Sequence, residues 1–165
     1  MILSLTGFMG CGKSSTGRAL AARLEARFVD LDEEIVLRAG RTIPEIFRDG
    51  EDAFRAVELE TLQAVLDAAD AAQGDTVLAL GGGALTLPEA RGIIFSRTRC
   101  VWLRTRLETI RQRLGDVDSS RPLFANADAL YARREPLYAQ APFAVDTDGK
   151  TPDEVAGEII TILLP

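Results

Sequence analysis

The chain has 165 residues, about the size of one domain, and its 47% hydrophobic and 27% charged residues fit a folded globular unit rather than a disordered or collagen-like one. A formal net charge of -6 argues against a nucleic-acid partner, because neutralising a phosphate backbone takes a surplus of Lys and Arg. Histidine is absent, which removes Ser-His-Asp triads, Cys-His pairs and His-ligated metals, so a general base must be a carboxylate, a lysine or water.

Cys11 and Cys100 are the only cysteines, too few for a disulfide framework or a four-cysteine zinc site. The opening apolar run is too short for a secretion signal or a membrane span, so the expected location is the cytoplasm, with no membrane partner. The basic residues are mostly arginine, with Lys13 and Lys150 the only lysines. Arginine suits bidentate grips on phosphate or carboxylate, which points to small anionic ligands.

In chain order, Ile2–Thr6 reads as a buried strand, followed by a glycine-rich turn and a helix over 13–26. Phe28 and Val29 lead into Asp30-Leu31-Asp32, a second short strand with carboxylates at its C-terminal end, then a helix through Leu37 that Gly40 closes. Helices follow at Ile43–Phe47 and over 53–72, and a third strand over 76–80 runs straight into Gly81-Gly82-Gly83. A helix over 88–95, a strand over 100–103 and a helix over 105–114 come next. The polar segment 115–121 reads as mobile, and a helix over 126–141, a strand at Phe143–Asp146 and a helix over 152–164 complete the pattern. Strands alternating with helices imply right-handed βαβ units and a parallel sheet covered on both faces, with ligands beyond the strand C-termini.

Gly7-Phe8-Met9-Gly10-Cys11-Gly12-Lys13-Ser14 satisfies G-x-x-x-x-G-K-[ST] between a strand and a helix, the context of a P-loop. Backbone N–H groups from Gly10 through Ser15 curl around ATP phosphates, with Cys11 contributing its backbone rather than its thiol. Lys13 reaches the outer phosphates and the Ser14 hydroxyl can ligate Mg²⁺. Asp30 and Asp32, two apart in extended backbone, share a face and can divide labour, one holding Mg²⁺ and the other accepting a hydroxyl proton. The triple glycine suggests close approach of a ligand to the backbone. Arg55, Arg121 and Arg134 are scattered in sequence, and Arg121-Pro122 closes the polar segment as a phosphate-sensing lid arginine should.

This ordered set resembles the shikimate kinase family over nearly the whole chain: the P-loop with Ser15, Asp30-x-Asp32, Gly40-Arg41-Thr42-Ile43, Phe54-Arg55, Leu80-Gly81-Gly82-Gly83, Arg121-Pro122-Leu123 and Arg134-Glu135-Pro136-Leu137-Tyr138. The resemblance implies an α/β, nucleoside-monophosphate-kinase-like three-layer fold, with a five-stranded parallel sheet in order 2-3-1-4-5 flanked by helices. It also implies one domain over 1–165, with a substrate-binding subdomain about 33–60 and a mobile lid about 112–123.

The roles it implies are specific. Asp32, Arg55, Gly82 and Arg134 hold shikimate, the two arginines gripping its carboxylate; Ser14 and Asp30 serve Mg²⁺; Lys13 and Arg121 meet the transferring phosphoryl group. Adenine lies beside Arg111 or Arg113 and the 150–152 segment. The expected activity is transfer of the γ-phosphoryl group of ATP to the 3-hydroxyl of shikimate by a monomer, with Asp32 orienting the hydroxyl or acting as base. A kinase of another polyol or of a nucleoside monophosphate is the rival enzyme. A GTP switch is disfavoured, because the guanine-reading Asn-Lys-x-Asp is absent.

Overall fold

The computed structural model describes residues 1–114 and 126–164. The elements are β1 (Ile2–Thr6), α1 (Lys13–Leu24), β2 (Arg27–Asp30), α2 (Leu31–Ala39), α3 (Ile43–Phe47), α4 (Glu51–Ala71) and β3 (Thr76–Ala79). They continue with α5 (Pro88–Arg97), β4 (Arg99–Arg104), α6 (Leu107–Leu114), α7 (Ala127–Tyr138), β5 (Phe143–Asp146) and α8 (Pro152–Leu163). The five strands form one sheet in the order β2-β3-β1-β4-β5, and every pairing in it is parallel. The order and the parallel pairing are those expected from the resemblance.

Side-chain alternation along the strands divides the core into two layers. Ile2, Leu78, Cys100 and Trp102 join a cluster with Ile35, Leu62, Leu66 and Ile94 of α2, α4 and α5. Leu3, Leu5, Val77, Val101, Leu103 and Val145 point the other way, against Leu20 of α1 and Val155 and Ile159 of α8. Each fully buried leucine contributes about 2 kcal/mol of apolar transfer, so both faces of the sheet are strongly held.

Local chemistry sets the element ends that matter for function. Thr42 opens α3 in a capping box with Glu45, and Thr151 opens α8 in another with Glu154. Gly40 closes α2 with φ of 65°, a left-handed conformation that favours glycine. The second strand differs from its expected extent. β2 stops at Asp30, whose side chain accepts from the amides of Asp32 at 3.0 Å and Glu33 at 3.3 Å and so starts α2. Asp32 therefore stands in a helix's first turn, not at a strand end. α7 also ends before the expected 141, at Tyr138, with Pro136, which lacks the N–H that would bond the Ala132 carbonyl, inside its last turn.

Among the described residues no helix is long and apolar enough to cross a membrane.

Candidate active site

A cavity of about 640 Å³ opens beyond the C-terminal ends of β1, β2 and β3, where a parallel sheet presents its ligands. Its floor is the loop from Met9 to Gly12 together with the first turn of α1, Lys13 to Thr16. Gly10 and Gly12 adopt φ of 75° and 95°, left-handed conformations that turn the backbone sharply before α1. Among the described residues no side chain caps α1, so its first-turn amides border the cavity, and the helix dipole adds positive potential there. The Lys13 ammonium donates to the Gly7 and Phe8 carbonyls at 2.9 and 3.0 Å, which arches its chain over the loop.

The Ser14 hydroxyl donates to Asp30 Oδ2 at 2.5 Å, while Asp30 Oδ1 caps α2. Two hard oxygen donors thus meet beside the phosphate loop. Among the described residues no group of three or more His, Cys, Asp or Glu could hold a metal by itself. That donor set fits a magnesium ion, which keeps waters and phosphate oxygens and takes only one or two protein ligands.

Asp32 lines the same cavity, opposite the triple glycine. A Cβ on Gly81 would lie 2.9 Å from both Asp32 Oδ1 and Glu58 Oε2, so the two carboxylates converge over that glycine. A Cβ on Gly82 would sit 3.4 Å from the Met9 amide and 3.5 Å from Arg134 Nη1. The protein's own side chains and P-loop thus also crowd the glycine backbone, beside the close approach of a ligand expected there. Tyr138 donates to the Gly82 carbonyl at 2.5 Å, which ties α7 to the glycine turn.

Arg55 and Arg134, 79 positions apart in sequence, both line the cavity and both are buried. Arg55 donates to Glu58 at 2.8 Å and to Glu51 at 3.2 Å. Burial pushes the Arg134 guanidinium below its ordinary pKa and the like charge of Arg55 adds to the effect, against support from Tyr138. Burial likewise pushes the Glu58 carboxyl up, although Arg55 opposes it, and Glu58 Oε2 is buried with no hydrogen-bond partner among the described residues. Two neighbouring guanidinium groups in so dry a place favour an anion between them. Ile43, Phe47 and Phe54 supply an apolar wall, with the two rings stacked 4.4 Å apart.

At the other end the cavity is bounded by Arg113, Thr147, Lys150, Pro152 and Val155. Arg113 donates to the Gly10 carbonyl at 3.3 Å, whereas Arg111 pairs with Asp128 at 2.6 Å, so of the two candidate arginines Arg113 is the one at the cavity. Lys13, Ser14, Ser15, Asp30, Asp32, Arg55, Gly82 and Arg134 therefore come together with Gly10, Cys11 and Gly12. Arg121 lies outside the described residues. Glu58 was not singled out from sequence, although its spacing of three from Arg55 on one helix was a usable signal.

Known proteins resemble this chain in sequence and fold. The family model described as shikimate kinase matches residues 9–164. A shikimate kinase of a Synechococcus species is 42% identical over 96% of this chain and 84% of its own length. One from Moorella thermoacetica is 42% identical over 94% of this chain and 90% of its own. The structure of shikimate kinase from Acinetobacter baumannii in complex with shikimate superposes with a TM-score of 0.90 at 34% identity, covering 99% of this chain and 92% of that one. With the family model matching residues 9–164 and relatives 42% identical along almost the full sequence, the chain belongs to the shikimate kinase family.

Proposed function

We propose that this chain transfers the γ-phosphoryl group of ATP to the 3-hydroxyl of shikimate, giving shikimate 3-phosphate and ADP. The observation that carries this reading is the joining, in one cavity, of a P-loop with Asp32, Arg55, Gly82 and Arg134 in a member of this family. Similarity to the shikimate-bound Acinetobacter baumannii enzyme supports the same acceptor.

Phosphoryl transfer asks the protein mainly for positioning and charge neutralisation. The P-loop amides hold the phosphates and Lys13 swings its ammonium from the Gly7 and Phe8 carbonyls to the outer phosphate oxygens. Ser14 and Asp30 would hold Mg²⁺, which supplies further neutralisation of phosphate charge when bound. On the acceptor side, Arg55 and Arg134 clamp the carboxylate, and Phe47 and Phe54 flank the ring. The Gly82 backbone closes on the ring from the sheet side. Asp32 accepts the hydrogen bond of the reacting hydroxyl and orients its oxygen in line with the γ-phosphorus; a loose transition state demands little early deprotonation, so a strong base is not required.

Arg121 completes the set as a second cation for the transferring group. Residues 33–60 serve as the acceptor-binding subdomain and 112–123 as the lid of a single domain over 1–165, of which 115–125 lie outside the described residues. The working form is a monomer in the cytoplasm.

A coupled ADP-release assay with shikimate, gluconate and nucleoside monophosphates as parallel acceptors tests the reading. Shikimate-dependent turnover is expected. Strong phosphorylation of gluconate or a nucleotide, with none of shikimate, refutes it.

A further inference from the structure

We infer that Gly83 is a positioning residue for Arg55: the missing side chain sets how deep the guanidinium sits and so where the acceptor's carboxylate is held. The inference rests on the proposed role of Arg55 as a carboxylate grip.

Gly83 is not among the glycines with positive φ, which are Gly7, Gly10, Gly12, Gly40, Gly50, Gly74 and Gly149. Its backbone therefore suits any L-residue, and conformational freedom is not what demands glycine there. Space is. A Cβ at Gly83 would lie 2.2 Å from Arg55 Nη2, 2.6 Å from Cζ and 2.7 Å from Nη1, so the flat guanidinium rests directly on the glycine Cα. Glu58 at 2.8 Å and Glu51 at 3.2 Å hold the same group from other directions, and the Phe54 ring centre is 5.1 Å from Cζ. A methyl group would have to drive Nη2 from 2.2 Å out to the 3.4 Å of ordinary contact, a displacement of about 1.2 Å.

What yields under that pressure decides the consequence. The obstructing atoms are the end of a long side chain with several rotatable bonds, so the backbone can stay in place while the charge moves. Gly17 makes the contrast: a Cβ there would meet Phe28 Cε2 at 2.5 Å, a ring packed between helix and sheet. A substitution at Gly17 must disturb packing. One at Gly83 disturbs the site instead.

The test is a double-mutant cycle with shikimate and ATP kinetics. Gly83→Ala is expected to lower kcat/KM for shikimate by about 10²-fold, the scale of an ångström-sized misplacement, mostly through KM, with the KM for ATP and the denaturation midpoint near wild type. In an Arg55→Ala background, where the guanidinium no longer stands over the glycine, adding Gly83→Ala is expected to cost no further activity. An equal loss in both backgrounds, unchanged shikimate kinetics, or a Gly83→Ala protein that unfolds as early as Gly17→Ala overturns the inference. Wild-type enzyme that leaves shikimate untouched refutes the functional reading and this inference together; wild-type turnover with an indifferent Gly83→Ala refutes this inference alone.

Discussion

Lys13 and Arg134 line one cavity, and on the proposed roles their substitution should separate two kinds of loss. Lys13→Ala removes a cation aimed at charge that develops during transfer, so kcat should fall by about 10²- to 10³-fold, the usual loss when one such donor is removed. ATP should also bind more weakly. Arg134→Ala removes a ground-state contact and should raise the KM for shikimate by about 10²-fold, the equivalent of roughly 2–3 kcal/mol for a charged hydrogen bond, while the KM for ATP stays put. Steady-state kinetics with each substrate varied in turn checks both, and unchanged shikimate kinetics in Arg134→Ala would remove the carboxylate assignment. At this scale the P-loop was legible in residue types, whereas the roles of Arg55, Gly82 and Arg134 were implied only by the family resemblance, since arginines scattered in sequence give no sign that they converge. Glu58 escaped because a glutamate on a long charged helix reads as solvated; only tertiary packing of α4 against the glycine turn buries it to 3% exposure. The triple glycine suggests close approach of a ligand to the backbone; the protein's own Asp32, Glu58 and Arg55 side chains also approach it, over Gly81 and Gly83.

Asp30 is where an element boundary and a site coincide. Its Oδ1 starts α2 and its Oδ2 meets Ser14, so two substitutions should part these roles. Asp30→Asn keeps an acceptor for the helix amides and should leave stability near wild type while raising the Mg²⁺ concentration needed for half-maximal rate. Asp30→Ala loses the cap as well and should cost about 1 kcal/mol of stability. Denaturant titration alongside Mg²⁺-dependent rates distinguishes the two; equal stability losses in both variants would contradict the division. The alternation in Asp30-Leu31-Asp32 made extended backbone the natural reading, and the competing local bond from Asp30 to the Asp32 and Glu33 amides won. Elsewhere the helix and strand spans were legible to within a few residues, since Gly40, Pro88 and Pro152 mark their ends chemically. The strand order was not legible from periodicity, which is blind to which buried strands become neighbours; it came with the family resemblance.

Taken whole, the molecule closes its sheet between two apolar layers, and Cys100 in β4 reports on that closure. Burial pushes its thiol up from an ordinary 9.0 to about 12, opposed in part by a hydrogen bond with Ser4. The native thiol therefore keeps its proton after the unfolded one has lost it. The stability it contributes is intact below pH 9, and it drains away between pH 9 and 12 by at most about 1.4 kcal/mol per pH unit. Cys100→Ala should lessen the alkaline decline measured by denaturant unfolding at pH 9 and 10.5; an identical decline in both proteins would show that the thiol stays protonated in neither state or both. The same sheet has a consequence in its layout. β1, which feeds the phosphate loop, pairs on both sides, whereas β2 is a margin strand that among the described residues pairs only with β3. Asp32, Ile43, Phe47, Phe54, Arg55 and Glu58 all belong to the one uninterrupted stretch of chain between that margin strand and its neighbour. On the proposed roles, the phosphate loop is thus seated in the middle of the architecture, and much of the acceptor's site hangs from its border, where it can be rewritten with little disturbance to the centre.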